Sequence, residues 1–305
     1  MSGPGTPSLD QLQVFLTVVE TGSFAAAGRK LGRATSAVSY AIATLEQQLG
    51  VQLFDRDRTR KPTLTEVGAS VLAEARTVSM GVDSLRAKVT GMLAGLEAEV
   101  ALAVDVMLPT ARLVDAMRAF EREFPTVALR LHVEALGAVT QLVVSGVAHI
   151  GISGPMQIDT PSLQQTKIGS VDLVPVAAAG HPLAAGTNAP GAARSHIQLV
   201  LSDRSTLTEG QDFGVLSVRS WRLADLGAKH ALLLAGIGWG NMPEPMVRDD
   251  LAAGRLHLLD LPEWTGGVYA MQAIHRTDTP PGPAAAWLIR HFSQQAHESE
   301  EKHHG

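Results

Sequence analysis

The sequence predicts an all-α N-terminal head, one long helix, and a C-terminal α/β body in two lobes. Three observations lead there. The stretch "SFAAAGRKLGRATSAVSYAIATLEQQLG" reads as helix, break, helix. Beyond it, apolar residues recur at alternating steps of four and three from Val71 to Leu96. From Glu97 onward, strand-like and helix-like stretches alternate. A chain of 305 residues suits two or three domains, and its 45% apolar share is ample for their cores.

The head begins with "SLDQLQVFLTVVETG", which sets Leu9, Leu12, Phe15, Leu16 and Val19 on one helical face. Gly22 closes that helix. Phe24 to Leu31 is alanine-rich, which favours helix, and Gly32 ends it. A third helix starts at Thr35 or Ser36, favoured N-cap residues. It carries Val38, Ile42, Leu45 and Leu49 on one face. After Gly50, "VQLFDRDRTRKPTLT" has β-type ends and a basic middle, which reads as a short hairpin, Leu53 to Leu64. Three helices and a hairpin make a winged helix-turn-helix, whose second motif helix enters the DNA major groove. A helical hairpin in an ordinary core would show the same spacing.

Charge favours the first reading. The chain carries a net charge of −5, but its distribution matters more than its sum. Between Ser23 and Thr63 stand seven basic residues against three acidic ones. They cluster at the helical break (Arg29, Lys30, Arg33) and in the hairpin (Arg56, Arg58, Arg60, Lys61). Cations so placed can neutralise phosphates whatever the DNA sequence.

The next segment has a heptad seam: Val71, Ala75, Val78, Val82, Leu85, Val89, Met92 and Leu96. It reads as one helix that pairs with a second copy, ending near Gly91 to Gly95. The alternative is a helix packed on its own domain.

In the body, strands are expected at Val100–Val104, Val127–Val133, Ile150–Ile152, Leu173–Ala177, Ile197–Leu201, Leu256–Leu259 and Val268–His275. Helices are expected at Thr110–Glu123, Val139–Gly146, Leu226–Ala235, Glu244–Ala253 and Pro283–Gln295. Such alternation predicts a mostly parallel sheet, with small ligands at the strands' carboxyl ends. The glycines of "AGIGWGNMP" suit a tight helix-to-strand turn, with Trp239 in the core or at a pocket rim. The polar end, "ESEEKHHG", reads as a frayed tail.

Catalytic signatures are lacking. "GISGP" misses the last glycine of a nucleophile elbow. His132 and Glu134 share a strand face but have no third metal ligand at a telling spacing. No dinucleotide fingerprint or P-loop is present. With no cysteine, disulfides and thiolate sites are excluded, which suits a reducing cytoplasm. No secretory leader and no membrane span is expected.

Local strings now converge on a family. "FLTVVETGSFAAAGRKLG", "SAVSYAIATLEQQLGVQLFDR", "LTEVG", "AFEREFPTVALRLHV", "GHPLA" and "AGIGWGNMPEPMVRDDLAAGRLHLL" resemble the LysR-type transcriptional regulators. The resemblance implies a winged helix-turn-helix over 8–66 and a dimerising linker helix over 67–95. It also implies an effector domain like a periplasmic binding protein over 97–295, then a disordered tail over 296–305. Lobe one would comprise 97–171 and 273–295, and lobe two 172–272. The expected protein is a sequence-specific regulator, not an enzyme, modulated by a small-molecule effector of unknown identity and using no cofactor. A ligand-independent architectural DNA-binding protein is the alternative, and a catalytic α/β domain on a DNA-binding head is a further one. Expected partners are double-stranded DNA, further copies of the chain as a dimer and a tetramer of dimers, and RNA polymerase, with no membrane.

The residues expected to contact DNA are Ser23, Arg33, Thr35, Ser36, Ser39, Tyr40, Arg56, Arg58, Arg60 and Lys61. Arg56 matches the family's usual wing arginine, Arg58, Arg60 and Lys61 are in reach of the minor groove or backbone, and Arg33 stands at a turn position that is usually apolar. Thr35 stands where relatives often have Gln, and Tyr40 where they commonly have Arg. Tyr40 can bond a phosphate but cannot grip guanine bidentately, so the operator cannot be borrowed. Dimerisation would use Val71, Ala75, Val78, Val82, Leu85 and Val89. The effector pocket would be lined by Asp105, Met107 and Thr110, by Leu136 and Gly137, and by Ser202, Asp203, Arg204 and Ser205. A carboxylate at Asp105 would repel an anion unless Arg204 paired with it, which points to a cationic, zwitterionic or neutral ligand.

Overall fold

The computed structural model describes residues 5–55, 62–155, 161–202, 205, 207 and 214–303, with the backbone alone over 296–303. The chain divides into two compact units, 1–90 and 91–305.

The first unit contains α1 (Leu9–Thr21), α2 (Phe24–Leu31), α3 (Thr35–Leu49), β1 (Phe54–Asp55), β2 (Thr63–Leu64) and most of α4 (Glu66–Leu93). Ser8 opens α1 in a capping box with Gln11, satisfying donors at the helix start. Gly32 takes φ 66°, a left-handed turn that costs glycine little, and α2 ends there. The Arg33 N–H then bonds the Gly28 carbonyl at 2.8 Å. That turn leaves Ala34 extended as the N-cap of α3, with no side-chain cap. Thr35 and Ser36 are therefore not caps, as their types suggested, but the first residues of the helix.

Val14, Phe15, Val18, Ala27, Val38, Ile42, Leu45, Leu53 and Phe54 form one core. The Phe54 ring meets Phe15 edge-on, with centroids 5.6 Å apart, and Phe24 likewise at 5.5 Å. The Glu46 carboxylate accepts the N–H groups of Leu53 and Phe54 at 2.8 and 3.3 Å, tying α3 to the hairpin. Phe54 pairs with Leu64 and Asp55 with Thr63.

The start of α4 completes this core, which corrects the seam. Ala75 is 2% exposed within the head core, and Val71 packs against it. The heptad spacing gives both to pairing with a second copy. The three short helices leave an apolar face that the first turns of α4 cover, so those turns are already spent.

The second unit runs β3 (Glu99–Asp105), α5 (Thr110–Glu123), β4 (Ala128–Glu134), α6 (Gly137–Val144), β5 (Ile150–Ser153) and β6 (Leu163–Ala178). Next come β7 (Gln198–Leu201), β8 (Ser220–Leu223), α7 (Leu226–Leu234), β9 (Trp239–Pro243) and α8 (Glu244–Ala252). It ends with β10 (Leu256–Leu258), β11 (Gly267–Arg276) and α9 (Pro283–His303). Among the described residues the strands form one sheet, ordered β4-β3-β5-β11-β6-β9-β7-β8, with β10 also on β6.

The sheet is mixed rather than mostly parallel. β3 pairs with β4 and β5, and β7 with β8 and β9, all parallel. Between these two groups run β6 and β11, antiparallel to each other and to their outer neighbours β9 and β5. Two long strands cross from one group to the other, so each must oppose what it passes. β6 also begins at Leu163, ten residues before the expected strand, because its polar opening "LQQTKIGSVD" hides its pairing with β11. The expected tail is helical through His303. After Pro283 neither proline nor glycine interrupts α9, and its Glu, Gln, Ala and Lys favour helix.

Candidate functional site

The third helix has two chemically distinct faces. Val38, Ile42 and Leu45 are buried, while Thr35, Ser36, Ser39 and Tyr40 are exposed, Tyr40 at 74%. Hydroxyls can donate to phosphates or base edges, and the uncapped helix start adds N–H donors suited to an anion.

The other candidate contacts divide. Ser23 caps α2, its oxygen accepting the Ala26 N–H at 3.2 Å. Arg33 grips Asp10 with two bonds, 2.8 and 2.6 Å long, and its guanidinium holds the Asp10 carboxyl below the usual range. Both partners are well exposed, so the pair is weak and a phosphate can compete for the guanidinium. Arg56, Arg58, Arg60 and Lys61 lie outside the described residues.

On α4, Val78, Leu85, Val89 and Met92 are exposed, Leu85 at 62%. Val82 is half-buried and lines a groove with Leu9 and Leu12 of α1, flanked by Asp10, Asp83 and Arg86. The apolar residues free to meet another surface are therefore fewer than the heptads implied.

In the second unit, Asp105 ends β3 and is 1% exposed. Its Oδ1 accepts the Met107 N–H at 2.8 Å, and its Oδ2 accepts the Leu136 N–H at 3.2 Å and the Tyr269 hydroxyl at 2.8 Å. Asp105 thus neither opens to solvent nor waits for a partner. Met107, two residues on, and Gly137, next to Leu136, are buried, and Thr110 is exposed at the start of α5. Ser202 follows β7, and the Ser205 hydroxyl oxygen accepts the Leu207 N–H at 2.9 Å. Asp203 and Arg204 lie outside the described residues.

Two residues went unnoticed in the sequence. Tyr269, on β11, lies 164 positions from the carboxylate it bonds. Lys229, 3% exposed, donates to the Asn241 carbonyl at 2.7 Å, and burial pulls it down to about 8. β7 and β9 pair only at Gln198 and Trp239, and Lys229 reaches β9 beyond that pair. Gly240 makes room: a Cβ there would stand 3.0 Å from the Lys229 Cε. A lone lysine in the apolar helix "LGAKHALLL" was the available signal.

Burial pushes the Asp105 carboxyl up to about 6, against the pull of its donors. An unfolded aspartate ionises near 3.9, so between these values the native unit binds the extra proton. This group's stabilising effect is therefore complete below about pH 4 and lost by about pH 6, a cost on the order of 3 kcal/mol. All four tryptophans lie between residues 221 and 287, so their emission follows the second unit alone. Urea midpoints read this way are expected to fall from pH 4 to 6 more steeply in wild type than in Asp105→Asn. Parallel curves would contradict the assignment.

Among the described residues, no group of three or more His, Asp or Glu side chains gathers as a metal site. Nor is any helix there long and apolar enough to cross a membrane.

Comparison with known proteins places these features. The family model "Bacterial regulatory helix-turn-helix protein, lysR family" matches residues 9–69, and "LysR substrate binding domain" matches 93–297. The probable transcriptional regulator YhaJ of Escherichia coli is 29% identical over 290 residues, 93% of this chain and 95% of its own. The regulator AceR of Acinetobacter baumannii is 26% identical, covering 92% and 94%. Among solved structures, Corynebacterium glutamicum LysG with bound effector Arg aligns at TM-score 0.52 and 20% identity, over 95% of this chain and 98% of that one. HinK of Pseudomonas aeruginosa aligns at 0.50 and 18%, over 95% and 99%. Both share the fold.

Proposed function

This chain belongs to the LysR-type family of transcriptional regulators, a DNA-binding class without catalysis, and from that premise we propose how its parts work. α3 reads base edges through Thr35, Ser36, Ser39 and Tyr40. The observation that carries this is the split of α3 into a buried apolar face and an exposed hydroxyl face. Ser23, Arg33 and the basic hairpin residues Arg56, Arg58, Arg60 and Lys61 hold phosphates. Arg33 exchanges Asp10 for the DNA backbone.

Two copies pair through the exposed stripe of α4, so the operator is an interrupted inverted repeat whose spacing mirrors the dimer. Two dimers assemble as a tetramer, and regulation of a promoter brings it within reach of RNA polymerase in the cytoplasm. A small-molecule effector binds at the strand ends of the α/β body, near Met107, Thr110, Gly137, Ser202 and Ser205, with Asp203 and Arg204. It shifts activity only as far as it prefers one arrangement of the assembly over another.

Leu85→Asp tests the pairing. Leu85 is 62% exposed, so the monomer loses little, whereas a dimer seam would bury a carboxylate. Sedimentation is expected to show dissociation of the pair formed through α4. A variant that stays paired through that stripe would move the interface elsewhere.

To test DNA reading, the purified protein is mixed with fragmented genomic DNA at physiological salt and the retained DNA is sequenced. A few intergenic fragments sharing an inverted repeat are expected. Diffuse retention lost at modest salt would mean backbone binding only, the architectural reading.

A further inference from the structure

At one end of the sheet, a carboxylate from the chain itself takes up donors from several elements. The order β4-β3-β5 means that the chain leaves β3 to one side for β4, then crosses to β5 on the other. Such a reversal opens a crevice at the strands' carboxyl ends, the usual place for a ligand in α/β folds. Here three donors already bond a carboxylate, with the Gly154 N–H after β5 also acting on it. The three are the N–H groups of Met107 after β3 and Leu136 before α6, and the Tyr269 hydroxyl from β11. A carboxylate offers about four lone-pair sites, so most of its capacity is used.

The surrounding backbone is shaped to this arrangement. Leu136 takes φ 51°, the only positive φ outside glycine among the described residues, and its N–H bonds Asp105 at 3.2 Å. A Cβ at Gly154 would overlap the Tyr269 hydroxyl, so glycine there lets the tyrosine reach the carboxylate.

We propose that Asp105 is a built-in substitute for an anionic ligand, its carboxylate occupying donors that a small-molecule carboxylate would otherwise take. The consequence concerns ligand class. A second carboxylate finds no donors here and meets a negative charge. A cation finds the carboxylate already bonded by three donors, on a residue 1% exposed. A molecule bound at this crevice therefore presents an uncharged group to the first half of the sheet. The inference rests on reading the body as effector-binding and narrows the effector's chemistry at this end.

Asp105→Ala removes the carboxylate and leaves its donors, and formate is the missing fragment. Full-length wild type and variant are melted in sodium formate and in sodium chloride at equal concentration, followed by tryptophan emission. The variant is expected to melt below wild type in chloride. At about 100 mM, formate is expected to raise the variant's Tm on the order of 3 °C above chloride, with no such gap in wild type. A variant that melts alike in both salts, or a wild type that gains as much, overturns the proposal. If the alanine variant does not fold in chloride, it is refolded from urea into each salt, and Asp105→Ser is treated alike. Recovery in formate alone supports the substitution, while failure of both variants in both salts overturns it. Failure here leaves DNA reading untouched, because fragment retention is a separate measurement.

Discussion

Gly68→Ala is expected to destabilise the first unit by on the order of 3 kcal/mol and to abolish operator retention near 37 °C. Gly68 lies in the first turn of α4, where a Cβ would overlap the backbone carbonyl of Leu53. That carbonyl cannot swing aside. It accepts the Thr65 N–H at 3.0 Å, while the Thr65 hydroxyl bonds the Gln52 carbonyl at 2.7 Å and receives the Gly68 N–H at 2.9 Å. The helix must retreat instead, withdrawing Val71, Leu72 and Ala75 from the head core. Alanine gains about 1 kcal/mol over glycine in a helix, too little to offset the overlap. Gly81, in the same helix, has nothing within 4 Å of its would-be Cβ, so Gly81→Ala is expected to stabilise by up to about that amount. Tryptophan emission should miss both changes, since it follows the second unit, whereas far-ultraviolet circular dichroism should record them. An unshifted melt for Gly68→Ala would mean that α4 does not lie against Leu53.

Ser36→Ala combined with Tyr40→Ala is expected to weaken operator binding on the order of 100-fold or more while leaving the fold intact. Each side chain is exposed and uncharged, and surface changes of this kind move stability within about 0.5 kcal/mol. A specific base or phosphate contact contributes roughly 1–3 kcal/mol, so losing two compounds to that range. The salt dependence of binding should stay the same, because it counts cations on phosphates, and neither residue is one. Replacing Arg33 should act the other way, flattening the salt dependence across all sequences alike. Unchanged operator affinity in the double variant would remove α3 from the reading surface.

Much of this was legible in the sequence wherever the signal is local. The apolar steps of α3 repeat within one or two turns, and the structure has that helix where the spacing put it. Glycine after each head helix marks its end for the same reason. Reading failed where partners come from far along the chain. Ala75 fits a heptad seam equally well whether it faces a second copy or its own head, and only the packing of α1 to α3 decides. β6 opens with polar residues because its ladder with β11 is built of backbone bonds, which leave no mark on side-chain pattern. Asp105 bonds the Met107 N–H two residues on, but its other donors, the Leu136 N–H and the Tyr269 hydroxyl, sit 31 and 164 residues away. No spacing rule connects them.

Whether α3 lies in the DNA groove is read by a photo-crosslinking benzophenone side chain placed at position 40. Position 40 is chosen because Tyr40 is 74% exposed, so the substitution leaves the head core untouched. On a retained genomic fragment, irradiation is expected to join the protein to bases within the inverted repeat. A fragment that stays bound yet never crosslinks from position 40 would place α3 outside the groove.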